Sequence, residues 1–493
     1  MELYRPGFDA AGNRVGVDPN NPANIVNARF IGRIVPGSGE RFNGAFQAGQ
    51  GINDELQDGS SFKISPRLGA TYDLTGQGNT IVRGGWGIFY DRPQGNMVFD
   101  MIANAPGVVV SQLQWGRLQD LSAAQSDPNA VVSLNPTVYD FEPPKVYQWN
   151  LGIQHKLWRN YILDVAYVGS ESKDLLRQVQ INALPRGTTF LPSSQDPTRA
   201  PSPVPGATAL PTDLLRPYPG YSGIRMWDYS GYSNYHALQT GVSRRFEDGL
   251  AMSVFYVWSK ALGINNDDFA PGIPNVDEAE TRRLDYSYVA HDRPHNFVAN
   301  FVYQIPPMTS SRGLGFLVND WQVSGIYRWT SGRPYGATFN IPGIGATNLT
   351  GTDTPNARVA LTCDPGQGYS GDPYQQIANV GCFAPPKPGS DGAESARFFL
   401  RTPPINNVDM SISKRLAFGK GVMGEVRLDM LNALNHTQFT AVNSQVNFRS
   451  LTDPTITNLP YDASGKLVNQ NGFGTINAVA PPRTLQLVTR LSF

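Results

Sequence analysis

Strict alternation of apolar and polar residues is the feature of this sequence that most constrains its fold. In the segment Phe62–Asp73 every even position is apolar or aromatic, and every odd position is polar, charged or glycine. A period of two places all of the apolar side chains on one face of a β-strand. The segment is about as long as a tilted strand that crosses a membrane, which needs roughly 9–11 residues. It therefore predicts a strand with one apolar face.

The same alternation recurs along the chain and predicts about eleven strands, most of them in pairs. The connections within a pair are short, except for the one at 306–319. Short turns on one rim and long loops on the other are the arrangement of outer-membrane barrels. We therefore predict an all-β fold, a transmembrane antiparallel up-and-down β-barrel with long extracellular loops and short periplasmic turns. The predicted strands are Phe62–Asp73, Thr80–Asp91, Tyr147–Leu157, Tyr161–Tyr167, Leu238–Phe246, Leu250–Trp258, Phe297–Ile305, Trp321–Trp329, Val408–Ile412, Val422–Met430 and Arg483–Phe493, and the long connections are 92–145, 170–234, 261–293, 332–405 and 433–482.

The balance of charge narrows the possible partners. Lys plus Arg and Asp plus Glu both number 40, so the formal net charge is zero. A protein that binds phosphate backbones normally carries a basic face, so we do not expect nucleic acid as a partner. Charged residues make up 16% of the chain, which is below the roughly 25% of a typical soluble domain. Low charge with many aromatic and turn-forming residues favours an all-β protein with long loops.

An odd number of strands indicates that the predicted barrel is incomplete. Antiparallel closure needs an even number, because an eleventh strand would meet the first in parallel. Either a further strand lies in residues 1–61, where Ile25–Val35 is a weak match, or the missing strands precede Met1. Met1–Gly7 has no feature of a signal peptide, so we expect an export signal upstream as well. We expect 1–61 to be an extracellular loop region and 62–493 to be the C-terminal part of the barrel.

The two cysteines, Cys363 and Cys382, lie in one loop that is rich in Gly, Pro and Asp. A metal or redox pair is one interpretation, but no His or further Cys lies nearby to complete a metal site. A disulfide that closes a surface loop in an oxidising compartment is the interpretation we favour.

Tyr and Trp residues cluster at the ends of the predicted strands. An amphipathic ring suits the boundary between membrane and water, so we expect these residues to form two aromatic girdles. The alternative is that aromatic residues simply favour strands. The girdle residues are Trp86, Tyr90, Tyr147, Trp149, Tyr161, Trp258, Trp321 and Trp329.

Several short motifs contain residue types that are found in metal, phosphate or catalytic sites. Each motif also has a simpler structural explanation. His291–His295 has metal-binding residue types, but Pro294 disrupts any helical spacing of the two histidines. Asn265–Asp268 offers oxygen ligands for Ca²⁺ without the Gly and distal Glu of an EF-hand loop. Gly84–Gly87 is not followed by a helix that would complete a phosphate site. The alternating charges of Glu425, Arg427 and Asp429 neutralise one another in a wet lumen. We therefore expect no enzyme and no cofactor.

A series of short motifs extends over the chain from about residue 30 onward. In their order and spacing they resemble the barrel of TonB-dependent outer-membrane receptors of the Oar-like class. The resemblance implies a barrel of about 22 strands, of which this chain would hold about 11–12, plugged by an N-terminal domain and energised through a TonB box. Neither the plug nor the box is recognisable here. The motifs are Ser65–Gly69, Arg83–Arg92, Tyr147–Leu151, Tyr235–Gln239, Tyr256–Lys260, Asp292–His295, Leu431–His436 and Thr489–Phe493.

The last strand carries a further feature of the resemblance. The terminal Phe493, together with Leu487 and Leu491 on the same face, resembles the signal that the barrel-assembly machinery reads. Ordinary apolar residues at the membrane edge are the other interpretation, and both can hold at once.

The resemblance implies a receptor and transporter that binds a ligand at its extracellular loops and passes it through the barrel with a plug absent from this chain. A passive outer-membrane pore and a surface adhesion or secretion-linked barrel without uptake are the alternatives. The expected partners are outer-membrane lipid, the TonB complex through a missing N-terminal region, the barrel-assembly machinery and a saccharide, peptide or chelated-metal ligand.

Overall fold

A single row of antiparallel strands follows from the alternation. A computed structural model describes residues 1–493 except 41, 43, 59–61, 94, 106, 109–128, 159, 265–284, 345–348, 354–356, 367–371, 373, 378 and 420. In the described residues eleven wall strands pair in the order of the chain, each antiparallel to its neighbours. They are β1 (Arg67–Asp73), β2 (Thr80–Tyr90), β3 (Lys145–Lys156), β4 (Tyr161–Gln180), β5 (Tyr221–Glu247), β6 (Leu250–Gly263), β7 (His295–Gln304), β8 (Trp321–Thr330), β9 (Ile405–Gly419), β10 (Val422–Leu431) and β11 (Thr484–Ser492).

The register gives the row two chemically different faces. Trp86 of β2 opposes Trp149 of β3, and Val254 of β6 opposes both Val242 of β5 and Ala299 of β7. Directly opposed residues point to the same side of a sheet, so these residues and their alternate neighbours form one apolar face. The residues between them form a polar face. Many large side chains of the apolar face are exposed at the protein surface, and a continuous apolar surface of this size marks contact with lipid or a partner.

The strand positions predicted from the alternation are confirmed, but several strands differ in length, and β9 covers Ile405–Gly419 where Val408–Ile412 is predicted. β1 begins at Arg67 rather than Phe62, and Pro66 at this boundary has no N–H for the ladder. β4 and β5 have 20 and 27 residues, so much of the predicted loop 170–234 is strand. The alternation is broken there because the register shifts between Ser172 and Leu175, where Asp174 has a φ of 55°.

Short connections lie at one rim of the row, and long loops lie at the other. Within the described residues β1 and β11 each pair with one wall strand only, so the row is open. Helix α1 (Asn96–Met101) lies in the long loop after β2, and helix α2 (Arg312–Val318) lies in the connection between β7 and β8. No helix in the described part of the chain is long and apolar enough to cross a membrane.

The short elements lie in the loops and near the N-terminus. The short strands are Arg5–Phe8, Arg14–Val17, Ile25–Asn27, Gln47–Ala48, Gly51–Ile52, Val132–Leu134, Ser287–Tyr288, Pro334–Tyr335, Thr338–Asn340, Ala360–Leu361, Phe383–Ala384, Leu400–Arg401, Phe439–Val442, Gln445–Asn447 and Ile476–Val479. The 3-10 helices are Ala28–Phe30, Thr188–Phe190, Pro192–Ser194, Thr212–Leu214 and Val380–Cys382.

The largest buried core lies outside the wall, between two long loops. Thr338–Asn340 pairs in parallel with Gln445–Asn447, although about a hundred residues separate them. Phe448 and Phe473 from the loop after β10 are buried against Ile341 and other apolar residues from the loop after β8. These two loops therefore fold together into one unit, which we call the loop lobe (residues 331–404 and 432–483).

A small sheet near the N-terminus is separate from the row of wall strands and is joined to one of the long loops. Ile25–Asn27 pairs with Arg14–Val17, which pairs with Arg5–Phe8. Arg14 forms an ion pair of 2.7 Å with Asp196 in the loop between β4 and β5. The weak strand match at Ile25–Val35 therefore contributes to this separate sheet.

Candidate functional site

A cavity of about 670 Å³ opens on the polar face near the long-loop rim. Gln239 of β5, Val257 of β6 and Asn296 of β7 line it, and the register places these three side by side. Loop residues around Asp292, before β7, and Arg92, after β2, complete the lining. We call this cavity the vestibule. A concave surface with mixed apolar and polar lining is typical of a small-molecule site.

The buried carboxylate of Asp292 joins the wall to the loop lobe. One oxygen accepts a hydrogen bond of 2.7 Å from the backbone N–H of Ala261, and the other forms a 2.6 Å ion pair with Arg401. Both carboxylate oxygens are therefore occupied. His295 is engaged elsewhere, because its Nδ1 lies 2.7 Å from the hydroxyl of Tyr256. These contacts give Asp292 and His295 of the His291–His295 motif a structural role.

Arg293 and Arg333 add positive charge beside this ion pair. Burial and the charges of Arg333 and Arg401 lower the pKa of Arg293, and the charge of Asp292 only partly opposes them. Arg293 donates to the carbonyl of Asp292 at 3.0 Å, and Arg333 donates to the carbonyl of Thr440 at 3.3 Å. In the part of the chain that the structure describes, no carboxylate forms an ion pair with either guanidinium. We call Arg293, Arg333 and Arg401 the arginine cluster.

Close contact with Thr402 fixes the backbone at Gly332 and Arg333. A Cβ atom on Gly332 would lie 1.5 Å from the carbonyl oxygen of Thr402, so only glycine fits there. Beside it, Arg333 and Thr402 exchange hydrogen bonds of 3.0 and 2.9 Å through the Thr402 hydroxyl and backbone groups. The guanidinium of Arg401 lies over the ring of Tyr288 at 4.7 Å, which is within the range of a cation–π contact.

A second set of ion pairs connects the loops next to the vestibule. Asp285 pairs with Arg358 of the loop lobe at 2.9 Å, and Arg177 of β4 pairs with Asp228 of β5 at 3.2 Å. Burial raises the pKa of Asp285, although Arg358 and other arginines oppose this. The first of these pairs thus joins the loop before β7 to the loop lobe, and the second joins the two wall strands β4 and β5.

The predicted girdle residues all lie on the apolar face. Tyr161 and Trp321 are near the short-turn rim, and the other six are nearer the long loops. Their role as two aromatic girdles at the boundary between membrane and water stays a prediction. Their positions follow from the pairing of each residue with its partners on the neighbouring strands. The residues are Trp86, Tyr90, Tyr147, Trp149, Tyr161, Trp258, Trp321 and Trp329.

The other predicted features occupy separate places. Leu487 and Leu491 are exposed on β11, and Phe493 follows its end; their role in assembly stays a prediction. Cys363 and Cys382 form a disulfide within the loop lobe, with their Cα atoms 4.9 Å apart.

The remaining motifs are likewise separate from the vestibule. Arg427 pairs with Asp429 at 3.1 Å on the polar face. The Gly84–Gly87 segment lies inside β2. The Asn265–Asp268 motif lies outside the described residues.

Sequence reasoning missed the residues that join the vestibule to the loop lobe. Arg401 lies 109 residues from its partner Asp292. Gly332 and Arg333 lie at the start of a long loop, where no alternation marks them. Composition gave no signal either, because an arginine in a loop is ordinarily solvated.

The chain belongs to the outer membrane beta barrel domain family, whose model matches residues 2–486. It is therefore a protein of the bacterial outer membrane, in which the apolar face meets lipid, the polar face lines the lumen and the long loops are extracellular. The resemblance to outer-membrane receptors is confirmed at the level of this barrel family. The comparison with curated protein sequences finds no match.

Several solved structures are similar to the chain. The outer membrane transporter YddB from Escherichia coli is 13% identical, with a TM-score of 0.44 over 88% of this chain and 41% of that one. A mutant of the ferric enterobactin receptor PfeA from Pseudomonas aeruginosa is 10% identical, with a TM-score of 0.39 over 87% and 39%. The siderophore receptor PirA from Acinetobacter baumannii is 11% identical, with a TM-score of 0.38 over 87% and 40%. The chain thus spans about two fifths of the length of these proteins.

Proposed function

We propose that this chain is the C-terminal wall of a TonB-dependent receptor that captures a ligand in the vestibule and passes it through the lumen. The observation that carries the proposal is the position of the vestibule. It lies on the luminal face at the extracellular rim, and both wall strands and long loops line it. A ligand held there has already left the outside medium and faces the lumen directly.

The luminal face supports passage of a polar ligand. Arg83 of β2 pairs with Asp164 of β4 at 2.5 Å, and Ser411 of β9 donates to Asp429 of β10 at 2.7 Å. Charged groups that are paired along a wet wall solvate a polar solute without trapping it at one strong site. We assign residues 1–61 to an extracellular loop region and 62–493 to the C-terminal part of the barrel with its long loops, and we assign the plug and the TonB contact to other parts of the receptor.

The proposal is tested by comparing native cells that carry the intact gene with cells in which it is deleted. Both are grown in a medium that contains oligosaccharides, peptides and ferric chelates, and the loss of each from the medium is followed by mass spectrometry. We expect one class to disappear only with the intact gene, and a proton uncoupler to stop its uptake. Uptake that continues with the uncoupler would show a passive pore. No difference between the strains would favour the adhesion alternative.

A further inference from the structure

A cavity of about 430 Å³ opens on the outside of the wall, where the loop after β10 bends over β9. The register places Val408 of β9 opposite Tyr327 of β8, and Tyr327 opposite Ala299 of the apolar face. The cavity therefore lies on the face that meets lipid, at the end of β9 nearest the long loops. We call it the outer notch. It is lined by Asn406, Val408, Leu434, Asn435, His436, Thr437 and Phe439.

We propose that the outer notch binds one membrane lipid of the extracellular leaflet, and that this lipid carries a phosphate headgroup. Its acyl chain lies against Val408, Leu434 and Phe439, and its phosphate lies at the polar side of the notch beside Arg483. This inference goes beyond the proposed function, because it concerns the outer surface of the wall and not the lumen. It holds for a passive pore as well as for a receptor.

The apolar part of the notch is the first argument. Leu434 is 71% exposed, and Val408 and Phe439 are half-buried in the same cavity. Apolar side chains that converge in a concavity are stabilised when an apolar group replaces water there. On the side of the wall that meets lipid, the acyl chains of the membrane are the apolar groups that reach this cavity.

A network of hydrogen bonds holds the loop side of the notch in place. The side chain of Asn432 accepts from the backbone N–H of His436 and donates to its carbonyl, both at 2.9 Å. Asn432 itself is buried. The N–H of Ala433 donates to the carbonyl of Val408 at 2.7 Å, and this bond ties the loop to β9. A cavity whose walls are already in position loses little conformational entropy when a ligand enters it.

Gln438 sets the hydrogen-bonding state of His436 at the notch. The amide oxygen of Gln438 accepts from the N–H of Asn406 at 2.7 Å, so the amide nitrogen is the group that lies 2.9 Å from Nδ1 of His436. The amide nitrogen donates, and Nδ1 therefore accepts. A neutral imidazole that accepts at Nδ1 carries its proton on Nε2. Within the described residues no acceptor contacts this Nε2–H, so it is available to a headgroup.

Arg483, just before β11, supplies positive charge beside the notch. Its backbone N–H donates to the side chain of Asn435 at 3.1 Å, and its guanidinium donates to the carbonyl of Ala433 at 3.5 Å. Arg483 is exposed, and across the described part of the chain no carboxylate forms an ion pair with it. Guanidinium binds phosphate through two parallel charge-assisted hydrogen bonds. A free phosphate would use this charge alone, whereas a phospholipid uses the charge and the apolar surface together.

Lipid binding is measured on the intact protein that contains this chain, in detergent, by native mass spectrometry during titration with dioleoylphosphatidylglycerol. We expect a saturable site for a single lipid, weaker binding of the zwitterionic dioleoylphosphatidylcholine, and no binding of glycerol 3-phosphate, which lacks acyl chains. Arg483→Gln should weaken phosphatidylglycerol binding at least about tenfold, because one charge-assisted contact is lost. Leu434→Ser should weaken it about fivefold, because part of the apolar surface is lost.

Two matched variants on β11 serve as controls. Arg490→Gln removes an exposed arginine from the polar face, where Arg490 opposes Glu425. Leu485→Ser removes an exposed leucine from the apolar face outside the notch. We expect neither control to change the affinity for phosphatidylglycerol, since neither residue lines the notch.

Four outcomes would overturn the lipid proposal. Equal weakening by Arg490→Gln would show general attraction between charges, and equal weakening by Leu485→Ser would show ordinary contact with the surrounding lipid. Tight binding of glycerol 3-phosphate would show an ion site without a lipid. Unchanged affinity in Arg483→Gln and Leu434→Ser would show that the lipid binds elsewhere.

A photoreactive lipid tests the position of the site without any substitution. The probe is phosphatidylglycerol with a diazirine in its acyl chain, and the cross-linked peptides are identified by mass spectrometry. We expect the cross-links on the peptides that contain Val408 and Leu434. Cross-links that are spread evenly over the wall strands would refute the proposal.

Discussion

A pair of adjacent arginine substitutions tests the assignment of the two faces. Val254 lies midway between the turn at Leu250 and the girdle residue Trp258, between Val242 and Ala299 on the apolar face. Its neighbour Ser253 lies on the polar face, between Ser243 and Asn300. An arginine that faces lipid at the midplane destabilises an outer-membrane barrel by about 2–4 kcal/mol. The same residue in a wet lumen should have an effect below about 1 kcal/mol.

We expect Val254→Arg to lower the free energy of unfolding by about 3 kcal/mol and Ser253→Arg to leave it nearly unchanged. Unfolding by guanidinium is followed by tryptophan fluorescence, with the receptor in phospholipid vesicles. Because the two positions are adjacent, both variants share backbone context, depth and added charge. Equal loss in the two variants, or greater loss in Ser253→Arg, would refute the assignment of faces from the register.

Three further predictions concern the loops. Asp292→Asn should leave the partly exposed Arg401 without its carboxylate, which destabilises the contact between the wall and the loop lobe by about 3 kcal/mol. Hydrogen exchange at the Ala261 amide should therefore become faster. An unchanged exchange rate would contradict the role of Asp292 in this contact. Burial raises the pKa of Asp196, but hydrogen bonds from Thr198 and the charge of Arg14 outweigh this effect, so the pKa is lowered; this contribution is present above the ordinary value near 3.8 and is lost as the pH falls below it. Proteolysis of the N-terminal sheet by pepsin should therefore accelerate below that pH, and the acceleration should be smaller in an Arg14→Gln variant, which keeps the hydrogen bonds from Thr198. Cys382→Ser should lower the stability of the loop lobe by about 3 kcal/mol, seen as faster hydrogen exchange at Phe383; equal exchange with and without the disulfide would contradict this.

The wall could be predicted from the sequence because its constraint is local. Lipid on one side and polar surroundings on the other impose a period of two on every strand, and β3 and β6 show this period plainly. The ends of β4 and β5 could not be predicted, since those parts extend beyond the membrane. At about 3.4 Å per residue the 27 residues of β5 cover roughly 90 Å. No lipid imposes an alternation on the part that projects outside.

The vestibule could not be predicted, because its contacts depend on the packing of distant loops. Asp292 lies in a motif of metal-binding residue types, and the motif does not indicate that a backbone N–H and Arg401 occupy its oxygens. Gly332 gave no signal, since its requirement arises only when Thr402 approaches it. Hydrophobic period and composition indicate whether a residue faces lipid, water or protein. They do not indicate which distant loop packs against it.

The shared core of the loop lobe has a consequence for how the ligand specificity of the proposed receptor can change. Phe339 and Phe448 come from different loops and are buried in the same core. Exchange of one loop alone would remove half of the side chains that fill that core. The cavity left behind would lower the stability of the loop lobe. We therefore expect a new ligand specificity to require replacement of both loops together. The two loops would then be inherited as one unit.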